Sequence, residues 1–249
     1  MFSNIPPVTK NLLIINVLFY IATLVLKGKG IHLENLLGAH YINSPLFEPY
    51  QIVTYFFLHS VSDFFHILFN MLMLVMFGSH LERIWGPKRY FIFYVSSAVG
   101  AFALYNTIGV YQIEGLKESL LNAGYNITDL NRNIVNNTFE HIKLNSINDN
   151  ALISNYINKV YTPMIGASGA LFGIMAAFGY LFPNTELMLL FPPIPIKAKY
   201  LISLYFIFEI YSSLNNNPND NVAHLAHVGG GIVGIIIVYF WNKNRNTFY

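Results

Sequence analysis

Charge and cysteine are scarce in this chain of 249 residues. Charged side chains make up 10% of the sequence, against about 25% in soluble domains. Cysteine is absent, which excludes disulfides, thiolate catalysis and cysteine-ligated metals. Aspartate is rare, and the four aspartates lie in loops or at the edges of apolar segments, which disfavours aspartyl chemistry: Asp63, Asp129, Asp149 and Asp220. The net charge of +2 gives no reason to expect nucleic-acid binding.

Apolar residues are abundant instead. They make up 54% of the chain, its mean hydropathy is +0.45, and several windows approach the roughly 20 apolar residues that cross a bilayer core. The sequence therefore predicts an all-α polytopic membrane protein with a single membrane domain over residues 1–249. Its six predicted spans lie at about 11–26, 64–82, 90–110, 164–182, 199–214 and 223–241.

Two of the connecting segments are long. Residues 27–63 carry apolar and aromatic side chains, so we expect this first loop to lie partly in the membrane interface. Residues 111–161 are polar, rich in Asn and Ile and without clear periodicity, and they are predicted to form a loop inserted at the surface.

The first apolar segment is followed by Lys27-Gly28-Lys29-Gly30 rather than a small-residue cleavage site. We therefore expect a retained helix and not a signal peptide.

The basic residues predict the orientation, because short cytoplasmic loops carry an excess of Lys and Arg. An even number of spans places both termini on one side of the membrane. That side would hold eight of the fourteen basic residues: Lys10, Arg83, Lys88, Arg89, Lys197, Lys199, Lys243 and Arg245. Both termini are therefore predicted to be cytoplasmic, with the fourth and sixth helices beginning at the outer face.

A serine and a histidine lie near the starts of two predicted spans, Ser168 about a turn and a half into the fourth and His227 about one turn into the sixth. Small residues around Ser168 by themselves favour helix packing. A serine hydroxyl becomes a nucleophile only when a neighbouring base takes its proton, and a histidine inside a span indicates a functional site by default. Ser168 and His227 are therefore a candidate nucleophile and base.

Glycines would allow these two helices to approach. Ala226, Gly230 and Gly234 recur every fourth residue on the sixth span, and the fourth span offers Gly169 and Gly173. Small residues at such spacing let the backbones of membrane helices pack closely. Close packing of these two stripes is what a Ser–His hydrogen bond would require.

His66 and Asn70 lie four residues apart in the second span, hence on one helical face. Both side chains can donate hydrogen bonds, and two donors near the outer end of a span can stabilise an oxyanion. A hydrogen bond between helices explains them about equally well.

Other polar residues within the spans are few. His224 and His227 could be a metal pair, but zinc takes three or four ligands and the sequence has no His-Glu-x-x-His motif. No metal and no other cofactor are predicted. Glu209 lies within the fifth span, toward its outer end, and is interpreted as an interfacial or inter-helix hydrogen-bonding group.

Three motifs, in this order along the chain, resemble the rhomboid family of intramembrane serine proteases. His66-Ile67-Leu68-Phe69-Asn70 matches the family's second-helix motif, and Gly166-Ala167-Ser168-Gly169 matches Gly-x-Ser-Gly at the start of the fourth helix. Ala226-His227-Val228-Gly229-Gly230, followed by Gly234, matches the sixth-helix pattern Ala-His-x-x-Gly-x-x-x-Gly. The resemblance covers about residues 48–241 and implies a six-helix rhomboid-like bundle that cleaves single-pass transmembrane proteins within the lipid bilayer.

The resemblance also implies the roles of the motif residues. Ser168 would be the nucleophile and His227 the general base, a dyad without an aspartate. His66, Asn70 and the backbone N–H of Ser168 would form the oxyanion hole. Gly166 would leave room for the scissile backbone.

Residues around the motifs are placed by the same resemblance. Phe172 would pack on the catalytic histidine, and His224 would line the site as a polar neighbour. Glu82-Arg83 and His59 match structural positions. The family often has Trp-Arg in the first loop, where this chain has Tyr50-Gln51, and we expect that pair to be structural.

Several alternatives remain open at this point. His224 also follows an alanine, but the spacing of the downstream glycines favours His227 as the base. A catalytically inactive rhomboid-like protein that binds membrane clients would need neither Ser168 nor His227. A small transporter would be expected to show internal repeats, and none is found.

The composition suggests a bacterial inner membrane, with an organelle membrane left open. Substrate is expected to pass the fifth helix, with 215–222 as a lid.

Overall fold

The computed structural model describes residues 4–142, 145–146, 149–188, 193–214 and 222–243. Their helices are α1 Pro7–Lys27, α2 Leu33–Leu37, α3 Gln51–Thr54, α4 Phe64–Met73, α5 Ser79–Trp85, α6 Pro87–Asn122, α7 Ile127–Val135, α8 Asn150–Tyr161, α9 Ser168–Leu181, α10 Ala198–Leu214 and α11 His224–Lys243. Two short strands, β1 Glu186–Met188 and β2 Pro195–Lys197, pair antiparallel before α10. A π-helical turn, Leu74–Gly78, joins α4 to α5.

The predicted fold class, an all-α polytopic membrane bundle, is confirmed. Within the described residues, four helices are long and apolar enough to cross a membrane: Pro7–Lys27, Phe64–Trp85, Pro87–Asn122 and His224–Lys243. The predicted fourth and fifth spans correspond to α9, with 14 residues, and α10, with 17. At 1.5 Å per residue α9 rises only about 21 Å, so the full set of six spans stays a prediction.

Helix α9 is the centre of the bundle. Every residue from Gly169 to Phe178 is buried, and α6, α10, α11 and the π-helical turn pack around it. A helix that is apolar on all sides is typical of such a buried position. The residue at its first position, Ser168, is therefore fixed by contacts on every side of its helix.

Glycines bring α11 against α9. A Cβ added at Gly230 would overlap the carbonyl oxygen of Gly169, and one added at Gly234 would lie 2.6 Å from the Cα of Gly173. The two backbones are thus in direct contact, which is the packing predicted from the spacing of these residues. This contact fixes the distance between the starts of α9 and α11.

The start of α9 differs from the prediction, which placed the fourth helix at 164–182. The helix begins at Ser168, because backbone hydrogen bonds to the first loop hold Met164 and Gly166 outside it. Ala39 and Met164 exchange backbone hydrogen bonds of 2.9 and 2.8 Å, and Gly166 donates to the carbonyl of Tyr55 at 3.1 Å. Ser168 is therefore the first helical residue rather than a turn and a half inside the helix.

The prediction of a loop at 111–161 is wrong. Helix α6 continues to Asn122, and α7 and α8 occupy most of the remainder. The apolar residues have helical spacing, Leu130 and Ile134 on α7 and Ile153, Tyr156 and Val160 on α8, but the helices are short and rich in Asn. These residues form a second core together with residues of α6, of the first loop and of the turn after α6. The whole core consists of Tyr41, Ile113, Leu120, Tyr125, Leu130, Ile134, Ile153, Tyr156 and Val160.

The carboxylate of Glu82 holds the beginning of α1. Its Oε1 accepts from the backbone N–H of Val8 at 2.8 Å, and its Oε2 accepts from the N–H and the hydroxyl of Thr9, both at 2.7 Å. These N–H groups belong to the first turn of a helix and have no partner within it. Glu82 is buried and joins α5 to α1, a structural role.

Gln51 anchors the first loop. Its side chain is buried, accepts from the backbone N–H of His40 at 3.2 Å, and donates to the carbonyl of Leu46 at 3.1 Å. Buried polar groups of this kind are stable only when paired. Within the pair Tyr50-Gln51, Gln51 therefore has a structural role, because it connects separate parts of the first loop.

We expect acid to destabilise the fold through His59. Burial lowers the pKa of His59 to about 3, and the neighbouring His66 adds to the lowering. In the unfolded chain the imidazole titrates near 6.5. Below that pH the unfolded chain binds a proton that the folded protein does not, so the free energy of unfolding falls as the pH falls. Between pH 7 and pH 5 the free energy of unfolding should drop by about 2 kcal/mol on this account.

Thermal unfolding in detergent at the two pH values measures this effect. The His59→Gln variant should lose less stability on acidification than the wild type, whereas the exposed control His32→Gln should behave as the wild type. An equal loss in His59→Gln and wild type would show that another group is responsible.

Candidate active site

Ser168 and His227 are hydrogen-bonded. The Nε2 of His227 lies 2.7 Å from the Oγ of Ser168, with His227 buried at the fourth position of α11 and Ser168 half-buried. The first N–H groups of a helix have no intrahelical partner and carry the positive end of the helix dipole. The position of Ser168 at the start of α9 therefore places free backbone donors beside its hydroxyl.

An aromatic ring lies flat on the histidine. The rings of Phe172 and His227 are stacked with centroids 4.2 Å apart and planes 7° apart. Phe172 also contacts two rings of α10, with its centroid 5.0 Å from that of Tyr205 and 5.4 Å from that of Phe206. This packing leaves the imidazole of His227 little freedom to rotate.

His66 projects into the space in front of Ser168. Its Nδ1 accepts from the backbone N–H of Ser60 at 3.3 Å, so in the neutral ring the proton is on Nε2. A Cβ built on Gly166 would lie 2.9 Å from that Nε2 and 3.5 Å from the Ser168 Oγ. Gly166 has φ +125°, which favours glycine, and the missing side chain leaves a gap that a donor and the hydroxyl both face.

Asn70 is less directly aimed at this gap. The side chain is buried, and its Nδ2 donates to the carbonyl of His66 on the preceding turn at 2.6 Å. The second hydrogen of the amide is the one left for a further acceptor. The structure thus brings Ser168, His227, His66 and Gly166 together, whereas Asn70 bonds to its own helix.

Glu209 is the residue whose place in the site the sequence did not reveal. It is 2% exposed, and its Oε2 lies 2.8 Å from Nδ1 of His227 and 2.6 Å from Nδ1 of His224. His224 therefore contacts the carboxylate and not the serine. The signal was an acidic residue inside an apolar segment, which indicates a functional site by default. The interpretation as an inter-helix hydrogen-bonding group did not connect Glu209 to either histidine.

These three side chains are also close enough to hold a metal ion. Among the described residues, Glu209, His224 and His227 offer ligand atoms that all lie within 4.8 Å of one another. The same atoms are joined by hydrogen bonds, in which Nδ1 of His224 and Nδ1 of His227 both face Oε2 of Glu209. This arrangement satisfies the buried groups without a cation, and we interpret it as a hydrogen-bonded cluster.

Two comparisons with known proteins bear on this site. A family model described as "Rhomboid domain" matches residues 46–116 and 137–244, which is more than half of the chain and includes all the site residues above. The unmatched residues between these ranges cover the end of α6 and all of α7.

Curated relatives carry the same family name. "Rhomboid protein 1, mitochondrial" of Saccharomyces cerevisiae is 26% identical over 186 residues, 74% of this chain and 40% of the relative. "RHOMBOID-like protein 12, mitochondrial" of Arabidopsis thaliana is 27% identical over 186 residues, 75% of this chain and 45% of the relative. This chain therefore spans less than half the length of these relatives.

Proposed function

Because the chain belongs to the rhomboid family, we propose that this multi-pass integral membrane protein is a serine endopeptidase that cleaves transmembrane substrates with Ser168 and His227. The observation that carries the proposal is the 2.7 Å contact between His227 Nε2 and Ser168 Oγ. A serine needs a base within hydrogen-bond reach to become a nucleophile. His227 is buried and Ser168 half-buried, so the imidazole that would take the proton is already at hydrogen-bonding distance from the hydroxyl.

The proposed reaction follows from this geometry. His227 takes the proton of Ser168, whose Oγ attacks the scissile carbonyl of the substrate. The oxyanion is stabilised by the Ser168 backbone N–H, by Nε2–H of His66 and by the free hydrogen of the Asn70 amide. The imidazolium then gives its proton to the leaving amine, and water resolves the acyl-enzyme by the reverse sequence.

Glycine at position 166 keeps His66 and the Ser168 hydroxyl uncovered. A Cβ there would lie 2.9 Å from His66 Nε2, too close for a side chain, and 3.5 Å from Ser168 Oγ, and we propose that the scissile carbonyl approaches both atoms at the gap over Gly166. We propose single-pass transmembrane proteins as substrates, reaching the gap from the lipid past α10. The exposed side chains of α10, including Phe208 and Tyr205, form the surface that such a segment would meet. The proposed lid at 215–222 lies almost entirely outside the described residues.

The membrane in which the protein works is a separate proposal. The bacterial inner membrane and the cytoplasmic termini remain predictions from composition and from basic residues. The names of both relatives place those proteins in mitochondria, which makes a mitochondrial membrane the organelle alternative to examine.

A serine-directed reagent tests the proposed function. We expect a fluorophosphonate to form one adduct, located on Ser168 by peptide mass spectrometry, and to block cleavage of a model transmembrane substrate by the purified protein. A protein that is folded, forms no adduct and cleaves none of several substrates would instead fit the alternative, a rhomboid-like protein that binds membrane clients.

A further inference from the structure

We propose that Glu209 of α10 is the positioning residue for His227, so that the site works as a serine, a histidine and a glutamate in series. The catalytic part of this inference rests on the proposed function. The resemblance implied a dyad, and the hydrogen bond between the Glu209 carboxylate and His227 is the observation that goes beyond it.

The hydrogen bonds define which nitrogen of His227 carries the proton. A carboxylate can only accept, so the Nδ1 of His227, 2.8 Å from Oε2 of Glu209, must be the donor. In a neutral imidazole the Nε2 is then unprotonated, and this is the atom 2.7 Å from the Ser168 hydroxyl. Glu209 therefore holds His227 in the tautomer that accepts the serine proton.

The carboxylate is in turn held by His224. Its Nδ1 lies 2.6 Å from the same Oε2, which gives this oxygen two donors in a site where the glutamate is 2% exposed. A buried carboxylate is expensive unless it is paired and hydrogen-bonded. The sequence predicted His224 only as a neighbour of the site. In the structure it holds the Glu209 carboxylate, which in turn orients His227.

The same carboxylate would act during the reaction. When His227 takes the serine proton it becomes a cation, and an anion at its Nδ1 lowers the energy of that state. Because this anion belongs to α10, the base is complete only while α10 packs on α11. The outer side of α10 is exposed at Ile207, Phe208 and Tyr211. On its inner side, the buried Glu209 connects α10 to the site through hydrogen bonds with two histidines of α11.

Kinetics of three variants test the positioning role. In Glu209→Gln we expect kcat for a transmembrane substrate to fall by about 10²- to 10⁴-fold with KM changed by less than about threefold, since a wrong or mobile tautomer affects the chemical step. The rate of labelling of Ser168 should fall in parallel. Glu209→Asp keeps the charge and should recover part of kcat, while the exposed control Glu118→Gln should match the wild type.

A merely structural Glu209 would give a different pattern. Loss of melting temperature with unchanged kcat in the folded fraction, or equal activity in Glu209→Gln and wild type, would overturn the proposal. So would wild-type activity that is abolished by a chelator and restored by zinc, because the three side chains would then be serving a metal.

A measurement without catalysis separates this inference from the proposed function. ¹⁵N NMR of histidine-labelled protein, with signals assigned by His227→Gln and His224→Gln, reports which nitrogen carries the proton. We expect Nδ1–H for both residues in the wild type and loss of that preference at His227 in Glu209→Gln. An Nε2–H tautomer of His227 in the wild type would overturn the role of Glu209 even in an active enzyme. The expected tautomers in an inactive protein would overturn only the proposed function.

Discussion

Replacing Ser168 by alanine is expected to lower cleavage of a transmembrane substrate by about 10⁴-fold or more, to the background of the assay. The hydroxyl 2.7 Å from His227 is the proposed nucleophile, and the remaining groups can stabilise an oxyanion but cannot form the acyl-enzyme. His227→Ala should cause a loss of similar size, and the double variant should be no worse than either, because groups that act as a unit are not additive.

The two histidines of α11 should differ in this assay. His224→Ala removes one of the two donors to Glu209 and should retain measurable activity, since His227 keeps its contact with Ser168. Cleavage is measured with purified protein, and an unchanged melting temperature establishes that each variant is folded. The exposed serine variant Ser154→Ala is the matched control. Activity in His227→Ala together with none in His224→Ala would contradict the assignment of the base.

Replacing Gly230 by alanine is expected to destabilise the fold by more than about 3 kcal/mol, at the upper end of what overpacking does. The added Cβ would overlap the carbonyl oxygen of Gly169, and neither backbone can move without separating α11 from α9. Since this contact sets the distance between Ser168 and His227, labelling of Ser168 should be lost as well.

Gly115→Ala is the matched control for this variant. Gly115 lies on α6, and an added Cβ there meets nothing within 4 Å. Alanine in a helix is about 0.5 to 1 kcal/mol better than glycine when it meets no obstacle, so this variant should be slightly more stable than the wild type. Thermal unfolding in detergent compares the two. A melting temperature in Gly230→Ala equal to that of the wild type would show that the helices are farther apart than described.

Membrane character and the bundle class were predictable because they depend on composition and on the length of apolar segments. The contact between α9 and α11 was predictable for a similar reason. A stripe of small residues at every fourth position has few uses other than close packing, and Gly230 and Gly234 lie against Gly169 and Gly173.

The regions that were predicted incorrectly are those where contacts from distant parts of the chain override local pattern. Residues 111–161 were predicted as a loop, but the apolar positions of α7 and α8 find a second core with Tyr41 of the first loop and with α6. The start of α9 was placed too early, because apolarity alone does not reveal that Met164 pairs with Ala39.

The sequence by itself determined the chemical groups available to this protein: a serine and histidines inside apolar segments, glycines at helical spacing, no cysteine and no aspartate within a span. Only the tertiary structure decided how they are connected. It places Nε2 of His227, and not His224, against Ser168, and it brings Glu209 to both histidines from a third helix. The physical reason is that hydrogen bonds depend on distances of a few tenths of an ångström, and the packing of α9, α10 and α11 sets those distances.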